Sequence, residues 1–274
     1  MIKRVLGIAL VAAMGVACTE KRGDNNPVKP LPDGGGKHYV KSIDMYVGDP
    51  TVSGDLEYIG ESIEFTLDEK SRIVNTRGVE YLDGQVVDVF ADIKFEYNDN
   101  NNEVVIKADY YGESLIARCE LNDRGAVTCA RYEGIDDFEM VEERFEYNDE
   151  GELQTYVLSI GGREYYRFNY AWEDGNLARV YFADGTLVNE CTYTDEPNPY
   201  NIDMSYSYYI TMPVLFELTL IHDGFLGKTN RSMLTSCVDY GWGEERWDVS
   251  HKFDENGLVE YSYDGDVVLK YECF

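Results

Sequence analysis

The stretch Phe145-Glu146-Tyr147-Asn148-Asp149-Glu150-Gly151-Glu152-Leu153 decides the fold, because its turn recurs along the chain. Asn148 opens the turn, since its side chain can bond its own backbone two residues on. Asp149 and Glu150 tolerate the middle of a type I turn, and Gly151 supplies the positive φ that closes it. This is the pattern of a short hairpin loop with a glycine bulge. The frame returns at Phe65 to Ile73, Cys119 to Val127 and Phe253 to Val259, with looser copies from Phe95, Phe168 and Cys191. Successive copies start roughly 23–30 residues apart up to Cys191, so the repeat fixes the architecture before any single motif.

Between these turns lie shorter ones, at Asp83-Gly84, Tyr111-Gly112-Glu113, Gly134 to Asp137, Gly161-Gly162, Asp184-Gly185 and Asp264-Gly265. They suit two-residue or slightly longer hairpins. Two alternating kinds of turn at even spacing predict an all-β, antiparallel up-and-down meander of about 14–17 short strands. A sheet of that size must curve strongly or close, so a half-barrel or barrel is expected. The frame also predicts a register in which Tyr147 faces Leu153, Phe145 faces Thr155, and Tyr97, Tyr147 and Tyr170 turn to the apolar side. By the same parity Tyr156 turns to the other face.

Charge narrows the function. The 274 residues carry 52 acidic and 24 basic side chains, a net charge of −28. A phosphate backbone wants a basic face, so nucleic-acid partners are disfavoured. Acid at turns and on alternate strand positions reads as a solvated face that keeps sheets apart. Asn98 to Glu103 has oxygen donors at calcium-like spacing but lacks the loop glycine and occupies a turn of the repeat, so no metal is expected.

The first residues read as a targeting segment. Lys3 and Arg4 precede the apolar stretch Val5 to Ala17, which is too short to span a bilayer and suits a signal peptide. Gly15-Val16-Ala17-Cys18 resembles a bacterial lipobox with Gly15 where Leu is usual, which implies cleavage before Cys18 and a lipid on its sulfur. Thr19 to Lys37 contains Pro27, Pro30, Pro32 and Gly34-Gly35-Gly36 without apolar periodicity, and reads as a flexible tether. The expected organisation is a signal peptide over 1–17, a lipidated cysteine and tether over 18–37, and one β-meander domain over 38–274. The membrane would be touched through the lipid alone.

Five further cysteines follow Cys18. The hairpin register around Asn122 to Gly125 places Cys119 opposite Cys129, which makes a disulfide between them a candidate. The alternative is two buried thiols on the apolar face. The pairing of Cys191, Cys237 and Cys273 is left open.

From Tyr200 to Trp247 the frame disappears. Thr211-Met212-Pro213 begins an apolar run with residues 214, 215, 218, 221 and 225 at helical spacing, and Asp223-Gly224 can stop it. A short helix over 213–223 is expected to pack inside the curve as a plug, with a β-strand as the alternative. Gly227 to Ser232 is basic and polar, and reads as a loop returning to the sheet.

The hairpin frames, the tether after the lipobox, the Asn201-Ile202-Asp203 step and the segment Gly224 to Leu234 together resemble one family. It comprises lipoproteins of gut-type Gram-negative anaerobes, a domain of unknown function with a porin-like fold. The resemblance covers most of Ile63 to Phe274 and implies a fold and a cell-envelope, outer-membrane location. It brings no catalytic residues.

No nucleophile, metalloprotease or phosphate motif is present, and no cofactor or enzymatic activity is expected. The 23 tyrosines suggest binding instead. Tyr offers a flat apolar face and a hydroxyl. Tyr156, Tyr165 and Tyr166 are the candidate ligand-binding residues, for a glycan or an envelope protein. The alternatives are a lipocalin-like carrier with an apolar ligand inside the curve and a glycoside hydrolase using a carboxylate pair.

Overall fold

The computed structural model describes residues 40–51, 57–83, 85–98, 100, 102–110, 113–133, 140–198, 225–241, 245–265 and 267–273. The lipidation site Cys18, the tether, and the helix expected over 213–223 lie outside these residues. Among the described residues there is no helix.

Seventeen strands run in chain order: β1 (Val40–Val47), β2 (Glu57–Leu67), β3 (Ile73–Leu82), β4 (Gln85–Asn98), β5 (Glu103–Tyr110), β6 (Glu113–Leu121), β7 (Val127–Glu133), β8 (Val141–Tyr147), β9 (Leu153–Ile160), β10 (Arg163–Glu173), β11 (Asn176–Phe182), β12 (Leu187–Pro197), β13 (Ser232–Asp239), β14 (Glu245–Asp248), β15 (Ser250–Phe253), β16 (Val259–Tyr263) and β17 (Val267–Cys273). Each pairs antiparallel with its sequence neighbours from β1 to β14 and from β15 to β17, and β17 pairs back onto β1. At the remaining seam, β14 and β15 are separated by Val249 alone. β13 holds the first of them and β16 the second, while the Val249 N–H donates to the Thr235 carbonyl at 2.7 Å. The result is a barrel closed but for this seam. Not every strand is short: β4 has 14 residues.

The turn frames form as their residues dictate. In the 148–152 loop, Gly151 N–H donates to the Asn148 carbonyl at 3.0 Å and Asn148 N–H to the Glu152 carbonyl at 3.0 Å, with Gly151 at φ 87°. The Asn148 side chain accepts from Glu152 N–H at 2.9 Å. The same bonds recur at Asp68, Asn122 and Asp254. In the β9–β10 and β10–β11 turns, Gly161 and Gly162, and Asp174 and Gly175, all take positive φ, the signature of two-residue hairpins.

The register departs from expectation at one recurrent point. Tyr147 does face Leu153, but Phe145 faces Tyr156 and Glu146 faces Thr155. One extra residue, Gln154, bulges from the returning strand. Bulges at the same point follow in five other hairpins, at Val74, Thr128, Ala178, Val188 and Glu260. A bulge re-aims every side chain beyond it by one position. It therefore turns Tyr156 inward and places Ala130, not Cys129, opposite Cys119, with Cys129 opposite Glu120. Cys119 joins the interior while Cys129 lies under Arg131 and Glu142 on the outer wall, and both are free thiols. The expected Cys119–Cys129 register is thus corrected.

Four of these bulges are latched. The carbonyl just before the extra residue accepts from an aromatic side chain of a following strand: Ile73 from Tyr97 at 2.9 Å, Val127 from Tyr147 at 2.7 Å, Leu153 from Trp172 Nε1 at 2.8 Å and Leu177 from Tyr193 at 2.7 Å. A buried carbonyl displaced from the ladder needs a donor. The repeat supplies one at a fixed position, which accounts for part of the tyrosine content.

The barrel is apolar within and charged without. Ile73, Ile93, Phe95, Ile106, Phe145, Leu153, Phe168 and Leu177 fill the interior. The outer wall carries ion pairs such as Lys107–Glu96, Arg118–Glu133, Arg131–Glu142 and Arg179–Glu190. A lipid-spanning barrel has the opposite polarity, an apolar band outside and a polar lumen.

Candidate binding rim

An antiparallel meander sends alternate connections to opposite ends. The frame loops, the start of β1 at Val40 and the end of β17 share one end, here the near end. The shorter turns share the far end. The two ends are finished differently.

The near end is strapped. Residues 225–231 cross it and are stitched to successive hairpin loops. Val127 N–H donates to the Phe225 carbonyl at 2.8 Å, Lys228 N–H to Gly151 at 2.8 Å, Arg231 N–H to Gly175 at 3.1 Å, and Leu177 N–H to Asn230 Oδ1 at 2.6 Å. Lys228 Nζ also pairs with Glu152 at 2.8 Å. Burial, the largest influence on the Glu152 carboxyl, pushes its pKa up, but hydrogen bonds from Lys228 and Asn148 together hold it below the usual range. Phe225, 2% exposed, stacks on Phe95 and Tyr97 with centroids 6.1 and 6.2 Å away. The loop expected over 227–232 belongs to this strap, and Phe225, just beyond the helix expected over 213–223, packs in the core.

The far end gathers the exposed apolar surface. All ten large apolar side chains that stand exposed among the described residues lie there: Val47, Tyr58, Leu82, Val86, Val87, Val89, Met140, Tyr165, Tyr166 and Tyr240. The β3–β4 hairpin projects, since residues 85–89 of β4 are exposed on both faces. The start of β10 projects likewise, with residues 163–166 all exposed.

Of the three tyrosines proposed from sequence, two meet at this rim. Tyr165 and Tyr166 make an edge contact at 6.4 Å, and Tyr166 stacks on Phe168 at 6.1 Å with the rings 9° from parallel. With Glu164, Arg167, Phe182 and Asp184 they line an open cleft of about 360 Å³. Arg167 holds Glu164 through two hydrogen bonds of 3.0 and 2.7 Å, which keep its carboxyl below the usual range. Asp184 is held low by the N–H of Thr186. The cleft therefore offers two flat phenol rings beside fixed charges of both signs. Tyr165 is itself the extra residue of a bulge, between the pairs Glu164–Ser159 and Tyr166–Leu158. That bulge turns two successive tyrosines to one cleft.

Tyr156 belongs elsewhere. It is fully buried, and its hydroxyl donates to Glu143 at 2.6 Å. Tyr132 donates to the other oxygen of the same carboxylate. Burial, then the Glu143 charge, pushes the Tyr132 and Tyr170 phenols far up. This cluster was missed in the sequence, although Glu143 sits on the apolar parity between Val141 and Phe145. Its carboxylate is 0% exposed, so it is a core feature without access for a ligand.

No family model matches the chain, and no curated protein matches it. Among solved structures, a porin-like protein from Bacteroides uniformis is similar, at 15% identity over 86% of this chain and 98% of that one, with a TM-score of 0.63. A porin-like protein from Bacteroides vulgatus aligns over the same shares at 11% identity and a TM-score of 0.48. The first of these likenesses shows a shared fold: this chain has the barrel of a porin-like protein.

Proposed function

We propose that the chain is a lipid-anchored, non-catalytic protein of the bacterial cell envelope that binds a glycan or a protein partner with its far rim. One observation carries the reading: among the described residues, the exposed large apolar side chains collect at the end opposite the start of the barrel at Val40, which follows Cys18 in the chain. An anchor at Cys18 would leave that rim facing away from the membrane. The Tyr165–Tyr166 cleft favours the glycan, since phenol faces stack on sugar rings while Glu164 and Arg167 accept and donate to hydroxyls. A carrier would need interior space, and the described interior is packed with side chains. A hydrolase would need a general acid with a raised pKa, and the two carboxyls that line the cleft, Glu164 and Asp184, are both held below the usual range.

A glycan-array screen of residues 38–274 tests the reading. Binding by the wild type and loss of about tenfold or more in Y165S/Y166S is expected, equivalent to about 1.4 kcal/mol. Glycan binding that survives the double substitution would move the site elsewhere. Silence on glycans, with an envelope protein cross-linked by the wild type and lost in L82S/V87S, would assign the rim to a protein.

A further inference from the structure

The chain leaves its repeat between β12 and β13, which residues 198–231 separate. The ladder there is regular from Asn189 to Thr192 and then shifts twice before Pro197. At the last regular stretch Cys191 stands directly opposite Cys237. Both stand as thiols in this structure, with their sulfurs 2.7 Å apart and the Cys237 thiol donating to Asn189 Oδ1 at 2.8 Å. Directly opposed residues of an antiparallel pair have Cα atoms about 4.5–5.5 Å apart, within the range a disulfide spans. Both side chains are buried, Trp247 lies opposite Cys237 on the next strand, and Tyr193 packs beside them. Cys119 and Cys129 offer no such pair, because the bulge at Thr128 sends them to opposite faces of the wall.

We infer that Cys191 and Cys237 join as a cross-strand disulfide that staples β12 to β13 across the break in the repeat. The oxidant is a disulfide, either a small molecule such as oxidised glutathione or a dithiol oxidoreductase. One cysteine thiolate attacks it, releasing one thiol and leaving a mixed disulfide. The second thiolate then displaces the other half. Two protons and two electrons leave the protein, and two thiols of the oxidant are released. In the folded barrel both sulfurs are shielded, so the exchange takes place as the strands come together. The bond encloses a span of 46 residues, including the strap. A link over a span of that length restricts the unfolded chain more than one that closes a short hairpin.

The test needs no variant. The full chain is refolded in reduced and oxidised glutathione, denatured without reduction, alkylated and digested with trypsin. The peptides 180–228 and 232–246 are expected to run as one species, about 2 Da lighter than their sum and separated by reductant. Cys119 and Cys129 are expected to alkylate fully. Full alkylation of both Cys191 and Cys237 in the refolded chain overturns the inference. As a second reading, reductant should lower the urea midpoint of the wild type and leave that of C191S/C237S unmoved. An equal response of the two proteins would also overturn it.

Discussion

Gly227 sits at the middle of the strap and tests whether that segment is part of the fold or merely lies on it. Its φ is 86°, and a Cβ there would meet the Gly151 carbonyl oxygen and stand 2.7 Å from Cε1 of Tyr147. Gly227→Ala carries two penalties. An L-residue held in the left-handed region costs about 1–2 kcal/mol, and forcing a methyl into filled space costs about 1–3 kcal/mol. Gly185 has the same φ of 86° with nothing within 4 Å of its would-be Cβ. Gly185→Ala therefore carries the conformational penalty alone. Urea unfolding followed by tryptophan fluorescence should rank the proteins wild type, G185A, G227A. The gap between the variants should be about 1–3 kcal/mol. It arises because the bond from Lys228 N–H to Gly151 at 2.8 Å cannot survive the displacement of either partner. Equal destabilisation of the two variants would show that the strap yields freely and is not fastened to the 148–152 loop.

Three other outcomes follow from the same structure. Tyr147→Phe removes the donor to the Val127 carbonyl and should cost about 1–3 kcal/mol in urea unfolding, against under about 0.5 for the exposed Tyr165→Phe. Glu143→Leu leaves the Tyr132 and Tyr156 hydroxyls without their carboxylate and should destabilise by more than about 2 kcal/mol, whereas E143L/Y132F/Y156F should recover part of that loss. His251 donates from Nε2 to the Leu234 carbonyl and places Nδ1 2.8 Å from the Ser262 hydroxyl, and burial holds its pKa below the usual range. Its contribution to stability is complete above its unfolded value of about 6.5 and is lost as pH falls toward the lower folded value. Urea midpoints measured from pH 8 to 5 should therefore slope less in His251→Gln.

Much of the fold was legible because turns are written in residue types. Asn148, Gly151, Gly161 and Gly162 each state a backbone requirement, and alternating them yields the meander. The bulges were not legible. Val74, Thr128, Gln154, Ala178, Val188 and Glu260 share no side-chain property, since the extra residue is set by backbone twist after the turn. That one unseen residue in each of these six hairpins misplaced Tyr156 and the Cys119–Cys129 pair. The latches left a trace that could have been found, an aromatic side chain bearing an N–H or O–H at one point of successive frames: Tyr97, Tyr147, Trp172, Tyr193. The rim left another. Gln85-Val86-Val87-Asp88-Val89 is apolar on both parities, which a strand with one solvated face is not. Tyr165 and Tyr166 were recognised as adjacent tyrosines, but the cleft that unites them also needs Phe182 and Asp184 from a neighbouring hairpin.

The pairing of β17 with β1 has a consequence for the chain while it is being made. The first strand finds one of its two neighbours only when the last seven residues of the ladder, 267–273, have been released. Until then a nascent chain carries two raw borders, each a row of unsatisfied amides ready to recruit another polypeptide. A product cut short by a few residues at its C-terminus would keep those borders for good. It should be found in the insoluble fraction, while the complete ring, having no free border there, stays apart from its copies.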